Sequence, residues 1–494
     1  MTFASLSFLF YFLPAVLVLY YLFFFSRTLK NIVLLVCSLM FYAWGEPKYV
    51  ILLILSIVVN YIFGIIIDLS KNRKHAAKFW LVFGLIFNLS MLFVFKYLSF
   101  VTKNLNYATG GDIKIMDIAL PIGISFFTFQ AISYLVDIYR KDAKAQKNIL
   151  NFALYLSFFP KLTQGPIMRY ETFEPQILNR KETVSKFSSG VCMFLVGLGK
   201  KILIANNMAI VADRIIEIHN MGQSTISLAW LGAIAYTFQI YFDFSGYSDM
   251  AVGLGLMFGF KLDRNFNYPY ISKSISEFWR RWHISLGSWF REYVYFPLGG
   301  SRVKNKDIMI RNLAIVWIST GIWHGANWTF LIWGVINFVF IALEKMFQFE
   351  KSKIPNFIKH MYAMFIIIMG WVIFRANSLT EAGSYIGDMF NFVKVKLYND
   401  YTYMFLKEFG VFFFAAILFS VPLAAIVNNF MAKGILIRNT IDEKPPFESH
   451  SLYMQAPLIK LINFIYPFVL MLLFFVCVTY LVKGSYNPFI YFKF

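Results

Sequence analysis

Two histidines in an overwhelmingly apolar chain are the places where chemistry could be done. His324 lies in an uncharged run from Asn312 to Leu343, between Gly321 and Gly325. The neutral imidazole is the form a general base needs, and small neighbours leave room for a substrate to reach the ring. A hydrogen-bonded core histidine is the competing reading. If the run stays helical, Asn327 and Trp328 lie on the same side as His324, three and four residues on. His283 stands in Glu277-Phe-Trp-Arg-Arg-Trp-His-Ile-Ser285. Its periodicity predicts one amphipathic helix over 274–292, with Trp279, Arg280, His283 and Gly287 on one face and Arg281, Ser285, Ser288 and Glu292 on another. On such a helix Arg280 and Arg281 suit an anionic group, and His283 suits a hydrogen bond to an acyl carbonyl. An interfacial helix, with arginines at headgroups and tryptophans in the aromatic belt, explains the same pattern.

Further polar residues sit nearby in Asp243-Phe-Ser-Gly-Tyr-Ser-Asp249, in Asn265-Phe-Asn-Tyr-Pro-Tyr270 and in Tyr295-Phe-Pro-Leu-Gly-Gly300. Ionisable groups at membrane depth usually face a cavity and mark function. Pro and Gly there suggest broken or re-entrant backbone. Asp243 and Asp249 could add oxygen ligands to the histidines, but no closely spaced pair such as H-x-x-x-H is present, and no metal site is expected. The serine of Asp243-Phe-Ser-Gly-Tyr lacks the strand–turn–helix elbow of a serine hydrolase. Gly253, Gly255 and Gly259 match no phosphate loop and suit close helix packing. His75, His219, His360 and His450 read as solvated surface. Cys37, Cys192 and Cys477 read as inert buried thiols.

The elements that must hold these residues follow from composition. Of 494 residues, 59% are hydrophobic, 20% aromatic and only 15% charged. A water-soluble chain could not hide that much apolar surface, so a cytosolic enzyme, a disordered chain and a disulfide scaffold are excluded. The net charge of +20 suits basic loops facing anionic lipid, not nucleic acid. The expectation is one all-α polytopic membrane domain over residues 1–494, with about 11–13 transmembrane or re-entrant helices. The apolar runs are 6–25, 31–44, 49–68, 79–100, 118–138, 149–160, 310–345, 360–375, 409–431 and 461–482. The run 310–345 would be one helix plus part of another, or one steep helix, and 187–262 two or three helices with polar faces inward. The first run lacks a basic leader and should remain as a membrane helix. Loops 69–78 and 139–148 are rich in Lys and Arg and should be cytoplasmic, as should 345–359 and 432–460. Loop 101–117 and both termini should then be extracytoplasmic.

The sequence resembles the membrane-bound O-acyltransferase (MBOAT) family, and most its bacterial alginate O-acetyltransferase branch. The resemblance is carried by Phe41-Tyr-Ala-Trp44, Pro121 to Gln130, Tyr134 to Arg140, Gly165-Pro-Ile-Met-Arg169, Asp243 to Asp249, Phe278 to Leu286, Pro297-Leu-Gly-Gly300, Gly321 to Trp328 and Trp371-Val-Ile-Phe-Arg375. It implies acyl transfer in a central membrane tunnel, with the family's histidine at His324 and its second polar position at His283. Trp279, Arg280, Arg281, Asp243, Asp249 and Asn327 are then candidates for shaping the substrate site. It implies no bound cofactor, an acyl thioester donor (acetyl-CoA or an acyl carrier protein), a cell-surface polysaccharide acceptor and an extracytoplasmic acetyltransferase partner. D-alanyl transfer to teichoic acid belongs to a sister branch, and a polysaccharide or lipid transporter is the rival from another class. Asn337 stands where many relatives have a histidine.

Overall fold

A computed structural model describes residues 1–116, 118–301, 303, 305–393, 395–423, 457–484 and 486–488. The predicted cytoplasmic loop 432–460 lies outside these residues except for its last four positions. His450 and the end of the predicted span 409–431 also lie outside them.

Every element described is a helix. In chain order they are α1 (Phe8–Leu22), α2 (Arg27–Gly45), α3 (Val50–Leu69) and α4 (Lys74–Thr109), then α5 (Ile124–Arg140), α6 (Ile149–Ser157) and α7 (Tyr170–Asn179). The long pair α8 (Val184–Asn220) and α9 (Ile226–Met257) follows, then the short α10 (Ile275–Arg281) and α11 (Ile284–Phe290). The rest are α12 (Lys306–His324), α13 (Trp328–Met346), α14 (Asn356–Arg375), α15 (Leu379–Phe390), α16 (Asp400–Phe419) and α17 (Pro457–Val482). Eight helices among the described residues are long and apolar enough to cross a membrane. The chain is a multi-pass membrane protein.

Three expected spans differ. The run 6–25 forms α1, shorter than a full crossing. The run 149–160 forms the nine-residue α6 and a turn at Phe159–Leu162. The second is buried from Phe152 to Leu162, a re-entrant piece inside the protein, where broken backbone is tolerated, whereas α1 keeps an exposed apolar face of Phe10, Tyr11, Val18, Leu19 and Leu22. The run 310–345 is a hairpin of two helices. The backbone leaves α12 at Gly325, and Asn327 starts α13 by accepting a hydrogen bond from Thr329 N–H.

The scaffold of the site is the crossing of α8 and α9, the most extensive helix contact. It depends on glycine. A Cβ at Gly190 would meet the Gly253 carbonyl at 2.6 Å, and one at Gly197 would meet the Gly246 carbonyl at 2.6 Å. Small residues let membrane helices approach this closely. The α12–α13 hairpin uses the same device: a Cβ at Gly334 would meet the Trp317 carbonyl at 2.6 Å, and one at Gly321 the Phe330 carbonyl at 2.6 Å. The two chain ends meet, with Asn487 donating to the Ala4 carbonyl at 3.0 Å.

Candidate active site

His324 is the last residue of α12. Its ring is walled by Trp323, Trp333 and Phe374, with centroids 5.0, 5.0 and 5.2 Å away. His283 lies at the joint between α10 and α11, in the left-handed region with φ 46°. The single helix expected over 274–292 is therefore broken at Trp282–His283. Asn265 holds the break open: its carbonyl accepts from Ile284 N–H and its side-chain oxygen from Ser285 N–H, at 3.0 and 3.1 Å. The His283 ring packs edge-on to Phe244 at 4.6 Å and lies 6.2 Å from Trp323. Trp323 thus stands between the two histidines, which are 41 residues apart in sequence. Both are buried, and neither ring nitrogen of His283 has a hydrogen-bond partner among the described residues.

A small cavity of about 40 Å³ opens beside His324, lined by Trp323, Phe126, Thr163, Gln164, residues 120–125 and Lys96. Lys96 went unnoticed in the sequence, where it is one lysine inside the apolar run 79–100. It sits in a π-helical turn of α4, Phe93–Tyr97. Its ammonium donates to the Trp323 carbonyl at 2.6 Å and lies 3.4 Å from Ser125 Oγ. Tyr97 donates to the neighbouring Ile322 carbonyl at 2.8 Å. These two side chains satisfy carbonyls that the end of α12 leaves without helical partners.

The other predicted residues divide. Trp279 joins the aromatic wall: its indole N–H donates to Asn337 Oδ1 at 2.8 Å and its ring lies 5.3 Å from Trp333. Asn337 therefore orients a tryptophan that packs behind the His324 wall. Arg280 and Arg281 point elsewhere. Arg280 is exposed and paired with Glu350 at 2.6 Å, and Arg281 is paired with Glu277 at 2.9 Å. Neither lines the cavity beside His324. Asp243 and Asp249 pair with Lys201 and Lys200, each at 2.6 Å, from the π-helical turn Lys200–Ala205 in α8. Asn327 and Trp328 do not stack above His324, because α12 ends there. The Asn327 side chain donates to the Asn377 carbonyl at 2.8 Å and faces a second cavity.

Of the remaining histidines, His75 is exposed. His219 is not surface: it is buried against Asp388, with Nδ1 2.6 Å from the carboxylate. His360 Nδ1 lies 3.0 Å from the Ser272 carbonyl.

The sequence profile of the MBOAT, membrane-bound O-acyltransferase family, matches residues 140–381. The chain is 44% identical over 397 residues to the probable alginate O-acetylase AlgI of Pseudomonas syringae pv. tomato, covering 79% of this chain and 76% of that protein. The Pseudomonas aeruginosa protein of the same description is 43% identical over 79% of this chain and 75% of its own length. The peptidoglycan O-acetyltransferase of Helicobacter pylori is 37% identical, covering 71% of both chains. The matched segment contains both histidines and the aromatic wall.

Proposed function

The chain belongs to the membrane-bound O-acyltransferase family, and from that premise we propose that it moves an acetyl group from a cytoplasmic thioester donor across the membrane for O-acetylation of a cell-surface or exopolysaccharide. The observation that supports this reading is the meeting of His283 and His324 on Trp323 beside an open cavity. The attacking hydroxyl loses its proton to His324 as its oxygen bonds to the thioester carbonyl carbon. The tetrahedral intermediate then collapses, the carbon–sulfur bond breaks, and the departing thiolate takes the proton back. Negative charge on the intermediate's oxygen is offset by the Lys96 ammonium and by a donor nitrogen of His283. Trp279, through Trp333, keeps the His324 ring in one orientation. Arg280, Arg281, Asp243 and Asp249 act at a distance, by holding the helices that carry the site. The donor is acetyl-CoA or an acyl carrier protein, and no bound cofactor is required, because the thioester is already activated.

On this reading the protein lies in the cell membrane with both termini, loop 101–117 and the 325–327 turn outside. Loops 69–78 and 139–148 face the cytoplasm. The Lys and Arg bias of those loops supports the orientation, and the contact between Ala4 and Asn487 supports a shared side for the two ends. A separate extracytoplasmic acetyltransferase receives the acetyl group and passes it to polymer. The descriptions of two of the relatives above name a glycan, alginate in one and peptidoglycan in the other.

The test is transfer by the purified protein in proteoliposomes, given radiolabelled acetyl-CoA or acetyl carrier protein inside and glycan outside, with and without the partner. Label on glycan is expected. No label with either donor, in the partner's presence, overturns the reading. Impermeant labelling of single cysteines in loop 69–78 of intact cells overturns the orientation.

A further inference from the structure

We infer that the cavity beside His324 selects the acyl group: it takes a short, uncharged one, with Trp323 and Gln164 donating to the acyl oxygen, Phe126 excluding longer chains and Lys96 excluding aminoacyl groups. This rests on the acyl-transfer reading above. The cavity measures about 40 Å³, and roughly 10–15 Å³ of such space holds one water. It therefore takes about three non-hydrogen atoms, the number in an acetyl group. Its walls cannot spread easily. Gly123 sits at φ 77°, and a Cβ there would meet the Leu162 carbonyl at 2.7 Å, so the 120–125 stretch lies directly on the backbone before Thr163. Phe126 is buried, with its ring 5.8 Å from Trp323 and 6.4 Å from His283.

The polar lining asks for an acceptor atom. Trp323 and Gln164 are 5% and 3% exposed, and neither the indole Nε1 nor the amide Nε2 has a hydrogen-bond partner among the described residues. Buried polar atoms are rarely left without partners, and both of these are donors. The Trp323 ring is otherwise packed on Phe126 and Phe129, which offer no acceptor side chain, so its N–H is satisfied from the cavity. An acyl oxygen is such an acceptor, and it gains negative charge as the hydroxyl adds, which strengthens both hydrogen bonds in the transition state. The charge of the lining separates acyl classes of equal size. The Lys96 ammonium lies 5.6 Å from the centre of the Trp323 ring, and no carboxylate lines the cavity among the described residues. An aminoacyl group would bring a second ammonium into this space with nothing to offset the repulsion.

The test offers acetyl, propionyl and glycyl thioesters, on coenzyme A and on an acyl carrier protein, to the full-length protein in the proteoliposome assay above. Propionyl and glycyl have the same number of non-hydrogen atoms and differ in charge. In the wild type, kcat/KM for propionyl should lie at least about tenfold below acetyl, and glycyl about a hundredfold below propionyl. Phe126→Leu should raise the propionyl-to-acetyl ratio at least about tenfold and leave glycyl rejected. Adding Lys96→Met to Phe126→Leu should slow every donor but close the gap between glycyl and propionyl. Gln164→Met removes a donor that has no internal partner, so its thermal midpoint should hold or rise while transfer falls about 10²-fold for acetyl and propionyl alike. Equal transfer of acetyl and propionyl by the wild type overturns the inference, and that comparison needs no variant to fold. So does a folded Phe126→Leu protein with an unchanged ratio, glycyl transfer equal to propionyl while Lys96 is present, or wild-type turnover in Gln164→Met. Loss of transfer in Gln164→Met that tracks a fall in thermal midpoint also overturns the donor role. No transfer of any acyl group by the wild type, with the partner present, overturns the proposed activity and this inference together. Acetyl transfer without preference for length or charge overturns the selecting pocket alone.

Discussion

Replacing His283 separates its backbone role from its ring. The residue sits at φ 46° and ψ 52° between α10 and α11, with its neighbour's amide fixed by Asn265. A residue with a Cβ costs roughly 1–2 kcal/mol in this conformation, whereas glycine adopts it freely. Against that, glycine's greater freedom in the unfolded chain costs roughly 0.5–1 kcal/mol. His283→Gly should therefore equal or exceed His283→Ala in stability, by about 0.5 kcal/mol. In a regular helix the order would be reversed. His283→Asn, which tolerates the left-handed region, should fall close to glycine. All three remove the imidazole beside Phe244, and all three should lose acyl transfer, by about 10²–10⁴-fold for Gly and Ala if the ring takes part in proton or charge handling. Thermal midpoints in detergent and single-turnover acetyl transfer in proteoliposomes report the two effects independently. A glycine variant that transfers acetyl within about threefold of wild type would falsify the chemical role and leave His283 as a structural joint.

Three other perturbations probe the neighbouring parts. His324→Ala should reduce transfer by about 10²–10⁴-fold with normal membrane insertion, while the exposed His75→Ala behaves as wild type; near-normal transfer by His324→Ala sinks the mechanism. Lys96→Met should lower turnover at least about tenfold, whereas Tyr97→Phe, which removes only the adjacent cap on Ile322, should cost about 1 kcal/mol of stability and keep turnover. Equal losses in both would make Lys96 a cap and nothing more. Glu182 is partly buried, which alone would raise its pKa, but hydrogen bonds from Arg27 and Tyr20 outweigh burial and lower it to about 2. A depressed carboxylate contributes stability above its unfolded pKa of about 4.3 and loses it as pH falls towards 2. With screening at this half-open site the contribution is about 1–2 kcal/mol. Glu182→Gln should therefore lower the thermal midpoint at pH 7, and the gap to wild type should close between about pH 4 and pH 2. A constant gap across that window would show that the ion pair is not its source.

Long apolar runs made most of the membrane helices legible, because only length and hydropathy were needed. The breaks were harder. At 325–327 the signals were present: a glycine, then Asn327 directly before an apolar run, which is how a helix starts. The Ser274–Glu277 start of α10 was also readable, since Ser274 accepts from Glu277 N–H at 2.9 Å. Nothing local marks the break at His283. Its left-handed backbone is imposed from Asn265, 18 residues earlier, and periodicity carried the helix straight through. The roles of Arg280, Arg281, Asp243 and Asp249 were equally out of reach, because their partners come from other helices or from the adjoining face of their own. Charge at membrane depth pointed to function, yet in Asp243 and Asp249 it marks ion pairs with the lysines of α8. Lys96 shows the converse: a single charge in a strongly apolar run was treated as part of the span.

His283, His324 and Lys96 share one structural circumstance. His283 occupies a helix joint, His324 a helix end and Lys96 a π-helical turn. Each is a place where the regular ladder of backbone hydrogen bonds is interrupted. Interruptions at membrane depth are tolerated only inside protein, where side chains replace the missing bonds. Asn265 does so for the first, Lys96 and Tyr97 for the second. Regular helices would project these three side chains at fixed intervals of 3.6 residues and could not turn both histidines onto Trp323. The aromatic wall of Trp279, Trp333 and Phe374 then holds what the broken backbone has aimed. Substitutions that restore helical regularity should therefore damage the site more than substitutions that shorten a wall residue, and Gly325→Ala is the sharpest of them. A Cβ there runs into the Phe330 ring, which must give way next to His324. Transfer should fall in Gly325→Ala and recover in a Gly325→Ala, Phe330→Leu double variant, where the smaller side chain makes room. Failure of the second change to restore any transfer would mean that the conformation at 325, rather than the space beside it, is what His324 requires.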